Sequence, residues 1–194
     1  MEENRSSGGS LSGMTLEELW ELFPIRLAEP DPAWREWYAD EAADLRKVFP
    51  EQDNVRISHI GSTAIKGICA KPIVDILVEL PAGSDMEQVK ARLIGAGYLC
   101  MCEGVKRKSF NKGYTVQGYA ERVFHLHLRF WGDCDELYFR DFLNTHPDIA
   151  KEYENLKHDL LKRFGRDRDG YTLAKSEFVT RYTGMGKQLF GDRW

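Results

Sequence analysis

From residue 73 to residue 80 the chain reads Ile-Val-Asp-Ile-Leu-Val-Glu-Leu, an apolar run broken only by Asp75 and Glu79. Valine, isoleucine and leucine without alternation mark a strand buried on both faces, so the rest of the fold has to be built around this segment. An aspartate in the middle of such a strand is costly to bury without a partner. Asp75 is therefore the first residue that asks for a function.

Helical and extended patterns flank this strand. Thr15 with Glu18 forms a capping box ahead of Leu16, Leu19, Trp20 and Phe23, and Pro24 ends that short helix. A Pro30-Asp31-Pro32 turn leads into a helix over 33–49, whose apolar side carries Trp34, Trp37, Tyr38, Leu45 and Val48 with Glu41 as a polar interruption. Residues 55–60 alternate as a strand, 86–97 read as a helix closed by Gly95 and Gly97, and 98–102 resume in extended form. Segments 107–110 and 114–117 flank Asn111-Lys112-Gly113 and read as a hairpin with its loop there, followed by an alternating strand over 123–131. Three helices are expected at 135–143, 147–164 and 173–189.

A chain of 194 residues can bury one sizeable core. Residues 1–13, dominated by Ser, Gly and charge, are expected to be a disordered tail or expression remnant, and residues 14–194 a single α+β domain with a mixed sheet flanked by helices. With 27 basic and 31 acidic residues the net charge is -4, which gives no field favouring a nucleic acid. No stretch reaches the ~20 apolar residues of a membrane span, and the start of the chain lacks the basic-then-apolar layout of a signal peptide, so the expected location is cytoplasmic. Cys69, Cys100, Cys102 and Cys134 contain no Cys-x-x-Cys pair and read as free thiols packing as small hydrophobes.

Chemistry concentrates where the first strand meets the central one. After Ile60 the backbone turns through Gly61-Ser62-Thr63, where glycine permits close approach and hydroxyls with free amides can hold phosphate oxygens. Asp75, reached after a short connection, can then carry a hard cation such as Mg²⁺ to those phosphates. The plainer reading is a helix cap followed by a core aspartate. His59 is expected to hold the turn, His146 to cap or pack at a helix boundary, and His158 to lie on a charged helix face.

The run His59-Ile60-Gly61-Ser62-Thr63-Ala64, then Ala70-Lys71-Pro72, then Asp75 on its apolar strand resembles the GrpB family. His125-Leu126-His127, Phe139-Arg140-Asp141-Phe142-Leu143 with His146-Pro147, and Tyr171 with Lys175 follow in the order that family shows, so the resemblance covers about residues 24–190. It implies a nucleotidyltransferase-like fold, in which a Gly-Ser turn precedes a strand bearing two carboxylates. Here the second position is Leu77, and Glu79 lies on the same face one step further along.

The resemblance also carries the remaining site expectations. His125 and His127, alternating onto one strand face, join Asp75 as catalytic residues and metal ligands, for Mg²⁺ or Mn²⁺ and, with imidazole present, Zn²⁺. Lys71 and Lys175, at positions that match the family's motifs, are expected to contact phosphate; Arg107 and Lys108 are candidates for the same contact as part of the basic run over residues 106–108 before the hairpin and not through the resemblance, and Tyr171 either stacks on a base or caps the last helix. The expected function is transfer of a nucleotidyl group from a nucleoside triphosphate to an unknown acceptor. The alternatives are a non-catalytic member of the fold that binds a nucleotide, another anion or a protein partner, and metal-dependent phosphoester hydrolysis.

Overall fold

The apolar run becomes strand β2 in a computed structural model that describes residues 11–49 and 54–194. Five strands form among these residues: β1 (Arg56–Ile60), β2 (Val74–Leu80), β3 (Leu99–Glu103), β4 (Lys108–Thr115) and β5 (Gly118–Phe130). They lie in the order β1-β2-β5-β4-β3, with β2 and β5 parallel and the other pairs antiparallel. The helices are α1 (Leu16–Leu22), α2 (Ala33–Val48), α3 (Met86–Gly95), α4 (Asp135–Thr145), α5 (Pro147–Phe164), α6 (Arg168–Leu173) and α7 (Ser176–Phe190). The chain is thus α+β, with a mixed sheet flanked by helices.

Strand alternation sends the residues of β2 to two different layers. Val74, Ile76, Val78 and Leu80 pack with Trp34 and Leu45 of α2 and with Val89 and Leu93 of α3. Leu77 faces the other way, against Ile60, Leu137 and Tyr138. Glu41, the interruption in the apolar side of α2, is 7% exposed because the Tyr98 hydroxyl donates to it at 2.9 Å and Lys112 pairs with it at 2.7 Å.

Several sequence expectations change here. The tail expected over 1–13 lies outside the described residues up to residue 10, and Leu11–Gly13 form a single 3-10 turn. Asn111-Lys112-Gly113 is not a hairpin loop: β4 runs straight through it, and the chain reverses between Thr115 and Gly118. Gly113 has φ +89°, and the register with β5 shifts between Lys112 and Tyr114, so its glycine serves a bulge. The helix expected from Leu173 starts at Ser176 as α7, and a separate short helix, α6, ends at Leu173. Asp167 caps α6 by accepting from the Gly170 amide at 2.8 Å, and Lys175 falls in the break before α7. The charged run around Gly170 hid α6, whose local signal is the Asp167 cap and whose anchor is the tertiary burial of Tyr171.

Candidate functional site

Gly61 brings the turn against the central strand. Its φ is +70°, and a β-carbon there would stand 2.2 Å from Asp75 Oδ2, so only glycine allows the backbone to abut this carboxylate. Ser62–Ala64 follow as a 3-10 turn. Thr63 does not face the site: it is 5% exposed, its hydroxyl lies 2.9 Å from His59 Nε2, and it lines neither cavity beside Asp75. His59 stacks on Tyr38 at 4.7 Å, and burial pushes its pKa down to about 4, so it holds the turn as a neutral ring. Arg140 donates to the His59 carbonyl and Asn144 to that of Ala64, fastening the turn to α4.

The parallel pairing of β2 with β5 sets Asp75 beside His125 and Leu77 beside His127. His125 Nδ1 lies 3.1 Å from Asp75 Oδ1, and the Tyr114 hydroxyl lies 2.8 Å from His125 Nε2. With Asp75 ionised, Nδ1–H donates to the carboxylate and Nε2 accepts from the phenol. Arg168 of α6 reaches the same phenol at 3.4 Å and that of Tyr119 at 3.1 Å. Strict alternation along β4 would put Tyr114 on the face of Lys112; the Gly113 bulge turns it onto the face of His125. Burial raises the Asp75 pKa, but the hydrogen bond from His125 and the nearby ring of His127 outweigh it and hold the carboxyl below the ordinary range.

These three residues do not form a tripod for a metal. Both ring nitrogens of His125 are engaged, and His127 Nε2 stands 3.8 Å from Asp75 Oδ1 while Arg129 approaches its Nδ1 at 3.4 Å. Their ligand atoms are not among the described groups of three that gather within 4.8 Å. Leu77 is fully buried in the core, and Glu79, equally buried, accepts from Arg56 at 2.5 and 2.7 Å. A hard cation beside His125 would be held by Asp75 and would take its other oxygens from a ligand, with Asp135 and Glu136 lining the space beyond His127.

Two cavities meet at Asp75. One, of about 230 Å³, is lined by Ser62, Asp75, His125, Lys71, Lys157 and Lys175. The other, of about 560 Å³, shares Ser62, Asp75 and Lys175 and extends past His127 to Glu136 and Thr183. In the smaller cavity the Lys71 and Lys175 ammonium groups sit 4.4 and 4.6 Å from the Tyr171 ring centre. Burial pushes Lys71 down to about 7 and Lys157 to about 8, and lowers Lys175.

The other sequence candidates move. Tyr171 is 1% exposed and its ring is taken by two lysines, so it neither stacks on a base nor caps the last helix; its buried hydroxyl has no partner. Arg107 pairs with Asp133 at 2.5 Å, away from the site. Lys108 is 4% exposed and pairs with Glu87 at 2.6 Å. It is in register with Leu128, so alternation puts it on the opposite sheet face from Asp75. Sequence reasoning missed Tyr114, Lys157 and Arg168: their signal was only a tyrosine beside a glycine and charges in helical segments.

A family model described as GrpB protein matches residues 24–184. The chain belongs to the GrpB family. A UPF0157 protein of Pseudomonas aeruginosa is 39% identical over 163 residues, which make up 82% of this chain and 66% of that protein, just under two thirds of its length. The crystal structure of a GrpB protein from Enterococcus faecalis superposes with a TM-score of 0.73 at 27% identity, covering 85% of this chain and 99% of that one. The Cid1 poly(U) polymerase, in a structure with Mg 3'-dATP bound, matches with a TM-score of 0.51 at 10% identity over 82% of this chain and 51% of that one. At that identity the likeness speaks for the fold, which is nucleotidyltransferase-like. Among the described residues no helix of this GrpB-family chain is long and apolar enough to cross a membrane.

Proposed function

We propose that the protein binds a nucleoside triphosphate or a similar phosphate-bearing small molecule, with its phosphates in the cavity of Lys71, Lys157 and Lys175 and its reacting end at Asp75. The observation that carries this reading is three ammonium groups around one small cavity, each with its pKa lowered by burial, beside a single carboxylate. Such an excess of buried positive charge is relieved by an anion, and phosphate is the anion that lysines take up as point charges. Ser62 lines both cavities and can add a hydroxyl donor. A divalent cation, if taken up with the nucleotide, would sit between Asp75 and the phosphates, where it would neutralise charge.

Nucleotidyl transfer is the second reading, and the Asp75–His125–Tyr114 chain favours it. An imidazole oriented by a carboxylate on one nitrogen can accept a proton at the other, and an acceptor hydroxyl beside His125, which lines the smaller cavity, would need such a base. For that, Tyr114 must yield its place on Nε2.

The test is calorimetric titration of the protein with the four common nucleoside triphosphates, with Mg²⁺, Mn²⁺ or Zn²⁺ and with metal omitted. Binding of at least one triphosphate is expected, lost in Lys71→Met/Lys175→Met and weakened in Asp75→Ala while the fold survives by circular dichroism. Full affinity in the double lysine variant would sink the cavity assignment. Metal-independent binding unchanged in Asp75→Ala would confine the function to anion binding without chemistry.

A further inference from the structure

On the far side of the loop that carries Lys71, Cys69 faces helix α5, where Glu154 and His158 stand one turn apart. One ligand atom from each of Cys69, Glu154 and His158 lies within 4.8 Å of the other two, and among the described residues this is the group that meets that condition. Residues four apart share a helix face, so the carboxylate and the imidazole project together toward the thiol. Cys69 and Glu154 are 5% and 3% exposed, while His158 is exposed, which leaves an approach from solvent. Cys69 and Glu154 are 85 residues apart in the chain, so no spacing rule could have paired them.

We propose that Cys69, Glu154 and His158 form a zinc-type metal site, with a water in the fourth position. Thiolate, imidazole and carboxylate are the donors that Zn²⁺ gathers in tetrahedral sites, whereas Mg²⁺ and Ca²⁺ take oxygen donors. Binding forms a metal–sulfur bond and releases the thiol proton to solvent. Without metal, Glu154 Oε1 accepts from the Cys69 amide at 2.6 Å, and Lys151 pairs with Oε2. Lys151 has a side chain 64% exposed, so it can swing into solvent and free that oxygen, while the amide bond stays as the outer contact that orients the carboxylate.

The site is separate from Asp75 but touches its surroundings. The Cys69 carbonyl accepts from Lys157, and Lys71 follows two residues later; both lysines line the basic cavity. A metal joining Cys69 to α5 would therefore stiffen the loop on which the cavity depends.

The experiment is a titration of the chelator-treated protein with Co²⁺, followed by Zn²⁺, reading the near-ultraviolet thiolate-to-cobalt charge-transfer band. The band is expected to saturate at one cobalt per chain and to vanish as Zn²⁺ displaces it. It should be absent in Cys69→Ser and unchanged in Asp75→Ala and in Cys100→Ser/Cys102→Ser. His158→Ala, at an exposed position that leaves the core intact, should weaken Co²⁺ binding at least about tenfold, and Lys151→Ala should strengthen it. No band in the unaltered chain, a band that persists in Cys69→Ser, or unchanged affinity in His158→Ala would each overturn the assignment.

Discussion

Asp75 and Glu79 stand on one face of one strand and are used in opposite ways. Each meets a partner in register on a neighbouring strand: Glu79 meets Arg56 of β1, and Asp75 meets His125 of β5. Glu79 has no exposure and both of its oxygens are taken by one guanidinium. Asp75 keeps 26% side-chain exposure, and its partner is an imidazole with a second, separately held nitrogen. A permanently charged, bidentate partner leaves a carboxylate nothing further to do. A titratable partner and two adjoining cavities leave it available. The partner's chemistry, and not the carboxylate, separates the structural acid from the functional one.

The largest expected effect falls on the structural side. Glu79→Ala leaves Arg56 facing a buried, unpaired position and should destabilise the fold by about 3 kcal/mol, the low end for a broken buried pair because Arg56 is partly exposed. Urea unfolding checks this, and triphosphate affinity measured on the folded fraction should not change. A large loss of affinity with little loss of stability would reverse the roles assigned to the two acids.

A smaller effect concerns the charge that Asp75 faces. Burial, with Lys175 and Arg168 nearby, holds Lys71 at about 7, so its ammonium is present below that pH and is lost as pH rises through it. Affinity for inorganic tripolyphosphate should therefore fall, by about tenfold for one charge-assisted contact, between roughly pH 6 and pH 8.5. In Lys71→Met the affinity should be lower and flatter across the same range. A dependence that survives this substitution would move the titration to another group. The same depressed pKa means the folded chain binds fewer protons than the unfolded one between about 7 and the ordinary lysine range, so Lys71 makes stability rise with pH there.

The smallest effect tests the hold on His125. Tyr114→Phe removes one partly buried hydrogen bond, worth about 1 kcal/mol of stability, and should move the His125 ring-nitrogen chemical shifts seen by nuclear magnetic resonance while those of His127 stay put. Equal shifts at both rings would mean that Tyr114 acts on the general field and not on Nε2.

Much of this was legible in the sequence. The unalternated run around Asp75, the turn at Gly61, the helix over 33–49 and the α+β class follow from local pattern, because strand and helix periodicities decide which residues share a face. Glu41 was visible as an anomaly but not as a salt bridge. Gly113 was read as a loop because a positive-φ glycine serves a turn or a bulge equally well, and only the register with β5 chooses between them. The same register puts Lys108 on the sheet face opposite Asp75, away from the cavity that Lys71 lines.

By itself, then, the sequence determined the central strand, the acid in it and the glycine turn that precedes it, since these rest on interactions between neighbours along the chain. The tertiary structure decided the rest: that His125 is locked between Asp75 and Tyr114, that Lys71, Lys157 and Lys175 converge on one cavity, and that Cys69 meets Glu154 and His158. Those meetings depend on strand order and helix docking, which join residues far apart in the chain and leave no periodic trace in it.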